Sequence, residues 1–109
     1  WVASADGKIV GTIGLLNIGA DQGALRKMFV AKDFRGKEHG VAKVLLETLT
    51  SWCAQHGFRE IFLGTTDKFL AAQRFYEKNG FAKIDRVQLP KGFPIMKVDS
   101  VFYHLDSIS

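Results

Sequence analysis

Two periodicities divide the chain. In the first third, apolar residues alternate or run together over short stretches bounded by glycine, the pattern of β-strands. Residues 1–4 form a short strand, and Asp6-Gly7 is a hairpin signal joining it to residues 9–18. That second segment mixes large and small residues around Gly11 and Gly14 and reads as a strand buried on both faces. Gly19, Asp21 and Gly23 punctuate the pattern before residues 25–30, where Leu25, Lys27 and Phe29 alternate with Arg26, Met28 and Val30. The expectation is an antiparallel meander of three strands.

The period changes after Gly40. Val41, Leu45, Leu49 and Trp52 recur at helical spacing, with Ala42, Leu46 and Cys53 beside them, so residues 41–56 form a helix that Gly57 stops in a left-handed turn. Residues 60–64 make a short apolar strand, after which Thr66 or Asp67 caps a second helix running to Asn79 and ending at Gly80. Strand, glycine-containing loop, helix and strand compose a parallel crossover unit. Residues 81–84 and Val101–Leu105 read as two further strands. Between them lies the run Leu-Pro-Lys-Gly-Phe-Pro at 89–94, a loop that either carries ligand contacts or only connects.

Composition narrows the class. The 109 residues are 47% hydrophobic and 24% charged with only 2 Pro, which suits one globular domain over 1–109 and excludes disordered, collagen-like and low-complexity chains. No run approaches the roughly 18 apolar residues that cross a bilayer, and the chain does not open on a basic segment followed by an apolar one. A single cysteine, Cys53, closes no intrachain disulfide, no Cys/His grouping has zinc spacing, and no metal is expected. A reducing cytoplasm is the default compartment. The first residue is Trp1 rather than Met, as in a processed or truncated chain.

Charge is informative by position. Arg26, Lys27, Lys32, Arg35, Lys37 and Lys43 are opposed locally only by Asp33 and Glu38, which leaves +4 in this one stretch, equal to the formal charge of the whole chain. A basic loop on a neutral body fits a compact anionic ligand better than a nucleic-acid stripe, which needs Lys and Arg spread over a face. The same stretch is a strand-to-helix junction, where unpaired backbone N–H groups and the positive end of the helix dipole meet an anion. Phosphate is the natural ligand, although neither a Walker loop nor a Gly-x-Gly-x-x-Gly turn is present.

Two runs carry a resemblance. Phe29-Val-Ala-Lys-Asp-Phe-Arg-Gly-Lys37, followed by Gly40-Val-Ala-Lys-Val-Leu-Leu46, resembles the acetyl-CoA loop and helix of the GNAT N-acetyltransferase superfamily, with its Gln/Arg-x-x-Gly-x-Gly/Ala signature. Ala72-Gln-Arg-Phe-Tyr-Glu-Lys-Asn-Gly-Phe81 is similar to the second signature, a helix ending in Phe-Tyr-Glu-Lys-x-Gly-Phe before a strand. Here Glu38 and His39 intervene before the Gly-x-Ala turn, so either Arg35 or Lys37 takes the signature position. Phe69 stands seven residues before the helix Tyr, where many members have Asn. The strand and helix pair that usually precede the meander, and that commonly wall the acceptor site, are absent.

The resemblance implies a mixed α+β fold with a mostly antiparallel central sheet and helices on both faces. It implies an enzyme moving acetyl from acetyl-CoA, its co-substrate, to a primary amine by direct attack in a ternary complex. Met28, Phe29 and Val30 would take the pantetheine arm and thioester. The loop Arg35, Gly36, Lys37, Glu38 and His39, with Gly40, Val41, Ala42 and Lys43, would take the phosphates. Tyr76 would protonate the leaving thiolate, since a phenol near 10 is not far above a thiol near 8.5. No acid occurs in residues 24–30, which leaves Asp21 or a water chain as routes for the amine's proton. The competing reading is a catalytically silent CoA-binding or structural domain of the same fold, and a nucleic-acid module is disfavoured by the confined charge. A truncated sheet edge would favour pairing with a second copy. His39, His56 and His104 have unremarkable surface or strand roles available, His104 facing either cleft or solvent, and Cys53, Trp52, Phe62, Phe69, Phe75 and Phe81 read as core.

Overall fold

The computed structural model describes residues 1–5, 7–31, 40–68 and 70–106. Six strands form one sheet: β1 (Val2–Ala5), β2 (Lys8–Gly19), β3 (Gln22–Val30), β4 (Glu60–Thr65), β5 (Ala82–Ile84) and β6 (Val101–Leu105), in the order β1-β2-β3-β4-β6-β5. Helix α1 (Val41–Gln55) links β3 to β4, which are parallel, while every other pair is antiparallel. Helix α2 (Leu70–Lys78) links β4 to β5. The meander and the crossover unit are therefore as the pattern predicts.

Strand parity sorts the core into two. Ile61 and Leu63 of β4, with Val101 and Tyr103 of β6, join Ile13, Leu25, Leu45, Leu46, Leu49, Cys53 and Tyr76 in the main core. Phe62, Phe102 and Ala24, pointing the other way, pack with Phe93 in a smaller one. Among the described residues both helices thus lie on the same face, because the stripes of α1 and α2 converge on the same sheet positions. The opposite face, where helices were also expected, is covered by the chain between β5 and β6 through Leu89 and Phe93. That gives the 89–94 loop a packing role: the Phe93 and Phe102 rings meet edge-on at 6.3 Å.

Three local expectations are corrected. β2 is buried on both faces only around Val10 and Ile13, while Ile9 is 60% and Leu16 43% exposed, since the twelve-residue strand outruns the elements packed on it. β3 starts at Gln22, because Ala20 and Asp21 alone make the hairpin turn, both at positive φ (53° and 60°), with Gly19 paired to Gln22. α2 starts at Leu70; the Thr66 hydroxyl accepts the Lys68 N–H at 3.3 Å in a turn ahead of the helix, and the Asp67 N–H donates to Ser100 Oγ at 3.0 Å. Both helix C-termini close alike: Phe58 N–H donates to the Cys53 carbonyl and Phe81 N–H to that of Tyr76, each at 3.0 Å. No helix among the described residues is long and apolar enough to cross a membrane.

Candidate functional site

β3 and β4 pair only at their starts. Gln22, Gly23 and Ala24 face Glu60, Ile61 and Phe62, and no pairing continues beyond them, whereas β4 stays paired to β6 through Thr65. The two parallel strands therefore part, and among the described residues β3 from Leu25 to Phe29 pairs with no strand on its β4 side. A bulge accompanies the parting: Thr12 pairs with Phe29 and Gly14 with Arg26, so Lys27 and Met28 together oppose Ile13. The strict alternation expected over 25–30 is broken there, and the bulge turns Met28 toward the main core while Phe29 stays half-exposed.

Met28, Phe29 and Val30, anticipated from the sequence, thus line the parted end of β3. Val41, Ala42 and Lys43 form the first turn of α1 beside it. Gly11 brings the two together: a Cβ there would lie 2.9 Å from Val41 Cγ1, 3.0 Å from Leu45 Cδ1 and 3.1 Å from the Phe29 carbonyl oxygen. Only a bare α-carbon lets α1 descend onto the sheet at this point. Gly40 stands at the N-cap in the left-handed region, φ 62°, with no side chain capping the helix and no acidic residue in its first turn. Among the described residues no side chain caps the first turn, whose N–H groups stand at the positive end of the helix dipole, the arrangement that binds anions. Arg35, Gly36, Lys37, Glu38 and His39 lie outside the described residues, as does Phe69.

Tyr76 comes from α2 into the main core at 5% exposure, its ring 5.6 Å from Phe81 and 6.0 Å from Tyr103. Burial pushes its hydroxyl up to about 12, so it holds its proton through the physiological range. Tyr103, wholly buried, donates from its hydroxyl to Glu77 Oε2 at 2.6 Å and so ties the residue after Tyr76 to the sheet. Burial first, then the Glu77 hydrogen bond and charge, push Tyr103 also to about 12. A phenol raised above its unfolded value near 10 stabilises the fold fully below pH 10, and that contribution is lost as pH climbs toward 12. Thermal melts at pH 9 to 12 should show a steep fall, and Tyr103→Phe should reduce its steepness while costing about 1–3 kcal/mol at neutral pH.

The remaining titratable candidates go elsewhere. Asp21, held open as a proton route, is exposed at the β2–β3 turn, its carbonyl accepting the Arg59 N–H at 2.8 Å. It lies roughly 20–25 Å along β3 from the parted end. His104 stacks on Phe62 at 4.4 Å and meets Glu60 Oε2 at 2.7 Å, at the paired end of β4. Glu60, His104 and Asp106 bring ligand atoms within 4.8 Å of one another, a grouping that Cys/His spacing did not reveal. His56 stacks on Trp52 at 4.0 Å. Cys53 is fully buried and its thiol is pushed up to about 11 by burial, which suits packing rather than chemistry.

One carboxylate escaped the sequence reading. Asp99, in the turn before β6, lies directly over Gly64 of β4, its Cγ and Oδ2 each 2.7 Å from where a Gly64 Cβ would stand. Asp99 Oδ2 accepts the Met96 N–H at 2.9 Å, and Met96 Sδ lies 3.6 Å from Arg26 Nη2 on β3. The turn therefore reaches across the parting strands on the face opposite the helices. The only signal for it was a lone acid between two apolar runs.

The sequence model of the acetyltransferase (GNAT) family matches residues 1–81. An acetyltransferase of the GNAT family from Staphylococcus aureus Mu50 superposes with a TM-score of 0.93 at 42% identity, covering 97% of this chain and 66% of that one. A probable N-acetyltransferase camello of Xenopus tropicalis is 36% identical over 91 residues, 82% of this chain and 40% of its own length. The chain thus spans about two fifths of that curated relative. The PaiA N-acetyltransferase of Thermoplasma acidophilum, solved in complex with coenzyme A, shares the fold at TM-score 0.77 and 23% identity, covering 96% of this chain and 58% of that one. With the parted strands, the bulge and the uncapped helix joined to a family match over residues 1–81, the chain belongs to the GNAT acetyltransferase family.

Proposed function

We propose that this chain forms the acetyl-CoA-binding part of an N-acetyltransferase that moves the acetyl group to a primary amine by direct attack in a ternary complex. The observation that carries the reading is the parting of β3 from β4 after Ala24 and Phe62, with the uncapped start of α1 beside it. A strand with one unpaired edge can hydrogen-bond an amide-rich chain such as pantetheine as a substitute neighbour. The slot fits such a group in a second respect, since Gly11 sets α1 close enough for one ligand to span strand edge and helix start.

The chain's residues would divide the work. Backbone at Met28, Phe29 and Val30 aligns the pantetheine arm and polarises the thioester carbonyl as charge builds on its oxygen. The N–H groups of Val41, Ala42 and Lys43, with the side chain of Arg35 or Lys37 and the backbone of Gly36, Glu38, His39 and Gly40, hold the phosphates. Tyr76 donates its hydroxyl proton toward the sulfur as the C–S bond breaks. Acetyl-CoA supplies the activated acyl group; the protein supplies alignment and proton management.

Thiol release from acetyl-CoA, followed with an amine panel, tests the transfer, and CoA binding without release for any amine would favour the silent-domain reading. Replacing Arg35 and Lys37 together by Ala should weaken CoA binding by about 2 kcal/mol or more with the melting temperature unchanged. Calorimetry on the double variant decides, and undiminished affinity would remove the loop from the site.

A further inference from the structure

We propose that Asp99 is the general base of the transfer, the group that takes a proton from the attacking amine. The inference rests on the N-acetyltransferase reading and adds the residue that β3 lacks.

A primary amine reaches the enzyme as an ammonium ion and must lose two protons on becoming an amide. One ends on the thiol of CoA and the other is released to solvent. The bound ammonium first loses one proton to solvent, which frees the lone pair; as the N–C bond then forms and the C–S bond breaks, the nitrogen becomes strongly acidic and a carboxylate beside it accepts the second proton, while the departing sulfur takes its proton from Tyr76. Before attack, the same negative charge draws the ammonium in and orients it. Such a group must stand beside the thioester slot, on the side the acceptor approaches.

Asp99 meets these conditions. It lies over Gly64, in the half of β4 that has left β3, and on the sheet face opposite both helices. α1 and α2 occupy the other face; on this one the chain between β5 and β6 packs through Leu89 and Phe93 beside Phe62 and Phe102, and Asp99 stands near its end, where β4 has parted from β3. Its carboxylate accepts the Met96 N–H at Oδ2, 2.9 Å, and its backbone is tied to the same residue, the Asp99 N–H donating to the Met96 carbonyl at 3.1 Å. The next residue is fixed too, Ser100 N–H donating to the Thr65 carbonyl at 2.9 Å. The absence of a side chain at residue 64 is what lets the carboxylate rest against the strand, since any Cβ there would overlap it.

Other described carboxylates are placed for other tasks. Glu77 accepts the Tyr103 hydroxyl, and Glu60 meets His104 at the paired end of the sheet. Asp85 stands at the N-cap of the 3-10 turn Arg86–Gln88, its N–H donating to the Gln88 side chain at 2.7 Å. Asp67, beyond the end of β4, is exposed and serves as a control.

The test is Asp99→Asn, which keeps an oxygen for the Met96 N–H and removes only the charge. With the intact protein and an amine from the panel, kcat should fall about a hundredfold while the KM for acetyl-CoA stays within about twofold. Asp67→Asn should stay within about threefold of the parent. Hydroxylamine, largely unprotonated at neutral pH, should lose kcat to a similar extent yet keep its KM, whereas the KM of a cationic alkylamine should rise severalfold, a split that a merely structural Asp99 would not produce. Near-parent turnover of Asp99→Asn, or KM changes that do not separate the charged from the neutral nucleophile, overturns the assignment while leaving the transferase reading intact. A parent protein that acetylates no amine overturns both.

Discussion

Tyr76→Phe should lower turnover roughly ten- to a thousandfold while CoA affinity and melting temperature stay close to the parent. The ring is the buried part: it packs on Phe75, Phe81 and Tyr103, and Phe preserves those contacts. What disappears is a hydroxyl whose pKa burial has raised to about 12. That elevation changes the chemistry expected from an ordinary phenol. Against a thiol near 8.5, full proton transfer is well uphill, so the hydroxyl acts mainly by hydrogen-bonding the sulfur as negative charge grows on it. Two consequences are measurable. The defect should shrink for acyl thioesters whose thiols are more acidic, because those depart with less help. Turnover between pH 6 and 10 should show no alkaline limb from Tyr76, which stays protonated over that window. Unchanged turnover with a lowered melting temperature would make the hydroxyl a structural group only.

Gly11→Val should be damaging twice over. Its Cβ alone would come within 2.9 Å of Val41 Cγ1 and 3.1 Å of the Phe29 carbonyl oxygen, and valine adds two methyl groups in the same space. Relief requires α1 to lift away from β2, an overpacking cost of about 1–3 kcal/mol that denaturant unfolding will read. Lifting α1 also carries Val41, Ala42 and Lys43 away from Met28, Phe29 and Val30, so CoA binding to the folded fraction should weaken by about tenfold or more. Gly11→Ala should show the same two effects at smaller size. A variant that loses stability yet binds CoA as the parent does would show that the helix start and the strand edge do not act on one ligand.

The order of elements was legible from local chemistry. Helix α1 announces itself by Leu45, Leu49 and Cys53 on one stripe, and each strand by short apolar runs between glycines, because side-chain periodicity reflects which face is buried. The two signature runs likewise sit in contiguous sequence, so Tyr76 and the residues from Met28 to Lys43 were identifiable before any fold was known. Boundaries shifted where backbone conformation overrode pattern. The turn at Ala20 and Asp21 needs left-handed φ at residues that do not advertise it, and Thr66 spends its hydroxyl on a turn instead of a cap. What only the tertiary structure decided are relations between distant segments. Whether β3 and β4 stay paired depends on how β6 engages the far edge of β4 and on the bulge opposite Ile13, and no local window contains both. The raised tyrosines owe their shift first to burial where α2 meets the sheet, with the Glu77 hydrogen bond and charge adding at Tyr103. Asp99 is thirty-five positions from Gly64, yet the two touch because the chain between β5 and β6 folds back across the open face of the sheet. A sequence records which residues prefer to be buried; long-range closure decides which of them meet.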